Sequence, residues 1–128
     1  KRKIKASIVN IGSIVGETGF SELSGYSSTK GAIKSLTQCF AVEFASKNLR
    51  ANLVNPGFTK TSYFKKFKSK KKLYNWTLSK TPLKRWAEAR EIVPLVSFLL
   101  SDNSSYITGE TINIDGGWLK SWKKNLKF

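Results

Sequence analysis

Short apolar strands alternate with amphipathic helices along this chain, and this alternation limits its fold more than any other feature. The predicted strands are residues 6–11 (ASIVNI), 50–57 (RANLVNPG) and 110–117 (ETINIDGG). Between them, apolar residues recur at helical spacing over residues 26–47 and 87–100, which predicts helices. Consecutive strand-helix-strand units favour a parallel sheet with helices on its faces. We therefore expect an α/β fold.

The segments between these elements give weaker signals. Residues 14–25 are rich in Gly and Ser and predict a loop. Residues 58–83 show weak periodicity, so we expect a loop there with at most a short helix. Pro94 lies inside the second predicted helix, where its missing N–H and its ring should bend the helix or remove a hydrogen bond.

Length and composition favour one folded domain. The chain has 128 residues, of which 40% are hydrophobic, and no apolar run is long enough to cross a bilayer. It does not begin with Met and starts one step ahead of a buried strand, so we expect a fragment. Its single cysteine, Cys39, excludes an internal disulfide, and the apolar neighbours of Cys39 predict a place in the core.

The charge is strongly positive and unevenly distributed. Lys and Arg total 23 against 8 Asp and Glu, a formal net charge of +15. Residues 60–86 contain no acidic residue, and a lysine-rich run fills residues 65–72. Such a balance fits a solvated loop, and it also fits a non-enzymatic basic module that binds nucleic acid or an anionic surface. We favour the solvated loop, because the sequence lacks zinc-finger spacing, an RNP-like strand and a helix-turn-helix pattern.

The absence of histidine narrows the possible chemistry. It excludes Ser-His-Asp and Cys-His nucleophile systems and histidine-ligated zinc, which leaves Tyr, Lys, Asp or Glu for proton transfer. In the stretch YSSTK, Tyr26 and Lys30 share one face of the predicted helix. A cation beside a tyrosine favours the phenolate, so this pair can act as a general acid and base. The same spacing is also common on solvated helix surfaces.

Polar and turn residues follow the first two predicted strands. Ser13 comes after the first strand, and Pro56 and Gly57 end the second. In parallel sheets, ligands bind beyond the carboxyl ends of the strands. We therefore expect Ser13 and the Pro56-Gly57 turn at the same rim, although the residues alone slightly favour a simple turn role for Ser13.

Several separated motifs occur together and in one order: IVNIGSIVG, YSSTKGAIKSLTQCFAVEFA, LRANLVNPGFTKT, TPLKRWAEAREIVPLVSFLLSD and SSYITGETINIDGG. Together they resemble the short-chain dehydrogenase/reductase family over nearly the whole chain, and most of all its 3-oxoacyl-carrier-protein reductase-like and tropinone reductase-like members. The resemblance implies a Rossmann-type three-layer α/β/α fold. It also implies NAD(P)-dependent hydride transfer between nicotinamide and a carbonyl or secondary alcohol.

The resemblance assigns catalytic roles to three residues of this chain. Tyr26 would donate a proton to the substrate oxygen during reduction and accept it during oxidation. Lys30 would favour the phenolate of Tyr26 and bind the nicotinamide ribose. Ser13 would orient the carbonyl group and stabilise its developing negative charge.

The same resemblance implies the cofactor and its site. The cofactor would be NAD or NADP, with NADPH expected for a 3-oxoacyl reductase-like enzyme, and no metal is expected. Where many family members have a branched aliphatic residue, this chain has Thr59, so only a backbone role carries over to it. The expected cofactor-binding residues are Tyr26, Lys30, Pro56, Gly57, Thr59 and Thr61.

The family's Gly-rich phosphate loop, its Asn-Asn-Ala-Gly segment and the asparagine of its proton relay all precede the strand before Ser13. They do not occur in this sequence. We therefore expect residues 1–128 to be the C-terminal part of a single NAD(P)-binding Rossmann-type domain, an incomplete fold that is inactive alone. Within it, residues 58–86 would be a substrate-loop region and residues 118–128 a basic, aromatic tail. An inactive remnant of a split gene is a further alternative.

The expected partners follow from the same family. They are a small carbonyl or alcohol substrate, free or bound to an acyl carrier, and further copies of the chain in a homodimer or homotetramer of the complete enzyme. We expect neither membrane nor nucleic-acid binding, and a cytoplasmic location.

Overall fold

The computed structural model describes residues 5–121. The strands are β1 (Ala6–Ile11), β2 (Leu49–Pro56), β3 (Thr59–Lys60), β4 (Ala87–Glu88) and β5 (Thr111–Ile114), and the α-helices are α1 (Ser24–Glu43), α2 (Phe64–Ser69), α3 (Lys71–Lys80) and α4 (Val93–Leu100). Strands β1, β2 and β5 form a parallel sheet in the order β1-β2-β5. A second parallel ladder joins β3 to β4. The prediction of an α/β fold with a parallel sheet is confirmed.

The central strand β2 forms the core of the sheet. Its residues Ala51, Leu53 and Val54 are at most 1% exposed. Ala41 of α1 and Leu99 of α4 are also buried. Residues 51–55 of β2 are all buried, including the polar residues Asn52 and Asn55, as is expected of a strand that is covered on both faces.

Arg50 of β2 closes the carboxyl end of α4. Its guanidinium donates hydrogen bonds to the backbone oxygens of Leu99, Ser101 and Ile107 and to the hydroxyl of Ser104. The last carbonyl groups of a helix lack partners within the helix and carry partial negative charge, so a cation stabilises them. This contact fixes α4 and the turn before β5 against the central strand.

The prediction of a loop over residues 58–83 is wrong, because α2 and α3 occupy most of that segment. The rings of Phe64, Phe67 and Tyr74 lie 5.1, 4.8 and 5.7 Å from the ring of Trp86, which is buried. Packing against a residue beyond the segment therefore stabilises helices whose own periodicity is weak.

The prediction of one bent helix over residues 87–100 is also wrong. Strand β4 and a short 3-10 helix (Ala89–Glu91) precede α4, which begins at Val93. Pro94 therefore stands in the first turn of α4, where a backbone N–H has no helical acceptor and proline causes no bend.

Cys39 corrects a further prediction, since it is exposed on α1 rather than buried. Thr37 and Ala41, four residues apart, are the buried positions of this helix. A residue midway between them in sequence points away from the sheet.

The other predicted elements differ from the structure only at their ends, by a few residues. Within residues 5–121, no helix is long and apolar enough to cross a membrane. Of the predicted tail, Trp118–Lys120 forms a 3-10 helix, and residues 122–128 lie outside the described part of the chain.

Candidate active site

A cleft of about 460 Å³ opens where β1 and β2 end. It brings together all the residues that the sequence singled out: Ser13, Tyr26, Lys30, Pro56, Gly57, Thr59 and Thr61. These residues come from separate segments of the chain, and the parallel pairing of β1 with β2 brings the turns that follow both strands to one rim. The predicted convergence of these residues is thus seen in the structure.

Ser13 begins the turn that follows β1. It is the N-cap of a short 3-10 helix (Ile14–Gly16), and its hydroxyl oxygen accepts a hydrogen bond from the backbone N–H of Val15 at 3.2 Å. Because this bond uses a lone pair of the oxygen, the O–H group can still donate to a ligand. The turn therefore holds a hydroxyl donor in the wall of the cleft.

Tyr26 and Lys30 project from the first turns of α1. The Lys30 ammonium lies 5.7 Å from the centroid of the Tyr26 ring and donates a hydrogen bond to the backbone oxygen of Ile11 at 3.0 Å. The last residue of β1 thus fixes the cation beside the tyrosine. Tyr26 is 48% exposed, and its side chain lines the open cleft.

The opposite wall of the cleft follows β2. The hydroxyl of Thr59 donates to the backbone oxygen of Gly57 at 3.1 Å. A Cβ atom at Gly57 would lie 2.7 Å from the Cα of Asp115, so only glycine allows this close approach to the end of β5. Asp115 itself accepts hydrogen bonds from the backbone N–H groups of Gly117 and Leu119. It therefore holds the turn after β5, and it is not among the residues that line the cleft.

Sequence reasoning did not identify a polar network beneath the cleft. The Glu17 carboxylate accepts from Lys34 of α1 at 2.7 Å and from the buried amide of Asn55 at 3.1 Å. Asn55 also donates to Asn113 of β5 at 3.1 Å. The network connects the Ser13 turn with α1, β2 and β5, the elements around the site. The only feature of the sequence that could have drawn attention to Glu17 is that acidic residues are rare in this basic chain.

Two other lining residues, Ala89 and Ile92, were also missed. They reach the cleft because β4 pairs with β3, with Thr59 beside Ala87. Strands of two residues leave no recognisable pattern in a sequence, so no signal was available for this pairing.

The glycines of the loop after β1 serve packing. A Cβ atom at Gly12 would lie 2.0 Å from the Oδ1 atom of Asn55, and one at Gly16 would lie 2.9 Å from the carbonyl carbon of Lys30. These distances are too short for any side chain without movement of the neighbours. Gly12 and Gly16 therefore allow the turn to approach β2 and α1, and they do not form a phosphate-binding fingerprint.

The lining of the cleft fits the nicotinamide and ribose end of an NAD(P) molecule. Hydroxyl and ammonium groups provide hydrogen-bond donors, and Ile11, Pro56 and Ile92 provide apolar surface for a flat ring. None of the described residues that line the cleft is acidic, which suits an anionic cofactor. Over residues 5–121, no group of three or more His, Cys, Asp or Glu residues could hold a metal ion.

The chain is similar in sequence to known proteins. The sequence model of a family described as Enoyl-(Acyl carrier protein) reductase matches residues 1–119. A tropinone reductase homolog of Arabidopsis thaliana is 45% identical over 112 residues, which cover 88% of this chain and 42% of that protein. The 3-oxoacyl-(acyl-carrier-protein) reductase FabG of Thermotoga maritima is 40% identical over 111 residues, which cover 87% of this chain and 44% of that protein. The chain therefore spans less than half the length of these curated relatives.

Solved structures of dehydrogenases are similar to this chain in fold. A 4-hydroxyisoleucine dehydrogenase complexed with NADH aligns with a TM-score of 0.89 at 36% identity, over 94% of this chain and 49% of that one. A gluconate 5-dehydrogenase of Burkholderia cenocepacia in complex with NADP and tartrate aligns with a TM-score of 0.88 at 28% identity, over 92% of this chain and 46% of that one. The prediction of an incomplete Rossmann-type fold is confirmed. These relatives give no support to the alternative of a basic module that binds nucleic acid.

Proposed function

The chain belongs to the short-chain dehydrogenase/reductase family, and on this premise we propose that it carries the catalytic residues of an NAD(P)-dependent oxidoreductase. The reaction would interconvert a ketone or aldehyde and an alcohol. One observation carries the proposal: Ser13 from the turn after β1, and Tyr26 and Lys30 from α1, line one cleft. In a chain without histidine, this set combines a proton donor, a fixed cation and a hydroxyl beside the carbonyl position.

The proposed mechanism assigns one task to each of these side chains. When bound, the reduced nicotinamide supplies a hydride to the carbonyl carbon, and the product is an alcohol and the oxidised nicotinamide. Tyr26 donates its phenolic proton to the carbonyl oxygen as the C=O double bond becomes a single bond. The Lys30 cation stabilises the phenolate that remains, and the Ser13 hydroxyl donates a hydrogen bond to the same oxygen. Tyr26 then recovers a proton from solvent.

Cofactor binding is assigned to the same cleft. Lys30, which already holds the Ile11 carbonyl, would bind the ribose. Pro56 and Gly57 would contact the nicotinamide ring, with Thr59 and Thr61 beside its carboxamide and the phosphates. One of the two solved relatives is a complex with NADH and the other a complex with NADP, which supports either form of the cofactor.

The wider organisation is also part of the proposal. Residues 1–128 would be the C-terminal part of one NAD(P)-binding domain, and residues 58–86 its substrate-loop region. Exposed apolar side chains on α1, among them Val42 and Leu36, support association with further copies of the chain. The exposed free thiol of Cys39 suits a reducing compartment such as the cytoplasm.

The test is reduction of a ketone panel by the full-length protein with NADH or NADPH. Tyr26→Phe removes the proton donor but keeps the ring, and it should lower kcat/KM by at least about 100-fold. Tyr63→Phe is the matched control, because Tyr63 is exposed and does not line the cleft. Similar activity of wild type and Tyr26→Phe would refute the assignment of Tyr26.

We also infer that the 128 residues alone do not turn over nicotinamide. Since the glycines after β1 are used for packing, the described residues offer no glycine-rich turn for the cofactor phosphates. The purified 128-residue chain should leave NADH and NADPH unoxidised with every ketone of the panel. Turnover that disappears in Tyr26→Phe would contradict this inference.

A further inference from the structure

A second cavity, of about 390 Å³, lies beside the catalytic cleft. Ser13 and Gly57 line both spaces. The cavity therefore reaches the Ser13 hydroxyl, which is proposed to donate a hydrogen bond to the carbonyl oxygen of the substrate. A molecule held in this cavity can therefore present a ketone to Ser13 and Tyr26.

The wall of this cavity is mostly apolar and aromatic. The main apolar contributors are Phe20, Leu23, Phe58, Phe67, Leu73 and Trp76. Leu73 and Trp76 are each 40% exposed, which leaves apolar area in the wall for a ligand to cover. Burial of such area is the principal driving force for binding in pockets of this kind.

The aromatic wall is supported from behind. Phe58 stacks on the buried Trp86 with ring centroids 5.1 Å apart, and Phe20 stacks on Trp118 at 5.2 Å. Trp76 meets the edge of Phe20 at 6.4 Å. Rings held by other rings do not need to reorganise when a ligand enters, which favours a rigid ring system over a flexible chain.

The ionisable groups in the wall indicate whether the cavity suits neutral or acidic ligands. Although α2 and α3 are rich in lysine, none of the described residues that line the cavity is Lys or Arg, and Glu22 is its only ionisable group. Residues 65, 66, 68 and 70–72 are all exposed lysines, so α2 and α3 turn their charges to solvent and supply Phe67, Leu73 and Trp76 to the cavity. A carboxylate in this space would lose hydration without gaining a cation.

From these observations we propose that the cavity binds the body of an aryl or alicyclic ketone that has one or two rings and no acidic group. A volume of about 390 Å³ lies at the small end of the range of ligand sites, ~300–1,000 Å³, which suits a compact ring system. The proposal rests on the proposed function for the position of the carbonyl group. Under this proposal the lysines of α2 and α3 do not select an acidic substrate, because they do not line the cavity.

The test compares two ketones of nearly equal shape and different charge, 4-methylcyclohexanone and 4-oxocyclohexanecarboxylate. Binding to the full-length protein is followed by tryptophan fluorescence, because Trp76 lines the cavity, and by calorimetry. The neutral ketone should bind at least about tenfold more tightly than the carboxylate, and the bicyclic 2-decalone more tightly than either. Equal or stronger binding of the carboxylate would overturn the proposal.

A variant links this binding to the cavity. Leu73→Asn puts a polar amide into the wall at a half-exposed position, so the fold should persist, and circular dichroism checks this. It should weaken 2-decalone binding at least about fivefold, because apolar contact is lost. Leu100→Asn is the matched control, since Leu100 is exposed at the end of α4 and does not line the cavity. Unchanged 2-decalone binding by a folded Leu73→Asn variant would also overturn the proposal.

The binding test is independent of hydride transfer. If neutral ketones bind with the expected preference and are not reduced, the cavity proposal stands and the proposed function fails. If the protein reduces ketones through Tyr26 but prefers the carboxylate, the proposed function stands and the cavity proposal fails.

Discussion

The hydrogen bond between Trp86 and Thr77 holds α3 against the residue that precedes β4, and its removal should lower the free energy of unfolding. The indole N–H donates to the Thr77 hydroxyl at 2.8 Å, and the two residues are 5% and 0% exposed. Thr77→Val keeps the shape of the side chain but leaves the buried N–H without this acceptor. A buried donor without a partner costs about 1–3 kcal/mol, so the free energy of unfolding should fall by that amount.

The measurement is urea unfolding of the protein followed by far-UV circular dichroism, with a double-mutant cycle. Trp86→Phe removes the N–H group, so Thr77→Val should cost much less in that background. Ser79→Ala is the control on the same helix, because the Ser79 hydroxyl makes an exposed bond to the Trp76 carbonyl; its effect should stay within about 0.5 kcal/mol. An equal cost of Thr77→Val in both backgrounds would refute the role of the hydrogen bond.

Two further predictions concern the turn after β1 and a surface ion pair. Gly16→Ala should destabilise the protein by about 1–3 kcal/mol in urea unfolding, because its Cβ would lie 2.9 Å from the Lys30 carbonyl carbon. Gly19→Ala, with nothing within 4 Å, should change stability by less than about 1 kcal/mol, and equal effects of the two variants would contradict the packing role of Gly16. Hydrogen bonds from Arg85 and from the Glu88 backbone N–H hold the pKa of the Glu91 carboxyl at about 2, below its ordinary 4.5. Since a lowered carboxyl pKa stabilises the fold above 4.5 and this contribution is lost as pH falls through about 2, Glu91→Gln should lower the thermal midpoint at pH 6 and lose its effect near pH 2. A constant difference between the two melting curves at all pH values would exclude this ion pair as the cause.

The sequence predicted the sheet well because its strands are short apolar runs with turn residues at their ends. Residues 6–11 were assigned without error, and the second strand was displaced by one residue from Leu49–Pro56. Helices α2 and α3 could not be predicted from periodicity. Phe64 and Phe67 pack against Trp86, a partner that only the folded chain brings close, and lysines interrupt the apolar pattern of both helices.

The candidate site was predictable for a related reason. Ser13 and Gly57 come just after β1 and β2, and Tyr26 and Lys30 occupy one face of the helix that follows β1. In a parallel sheet these positions lie at the same rim. The supporting residues were not predictable. Glu17, Asn55 and Asn113 interact through side chains from three segments, and neither spacing nor composition specifies such contacts.

The most direct test of the central claim is transfer of a labelled hydride. The full-length protein is incubated with NADH or NADPH that carries deuterium at the transferable C4 position, and with 2-decalone. We predict an alcohol with one deuterium on the carbinol carbon, formed by the wild type and by Tyr63→Phe, and at least about 100-fold more slowly by Tyr26→Phe. An alcohol without deuterium, or equal rates for wild type and Tyr26→Phe, would contradict the account.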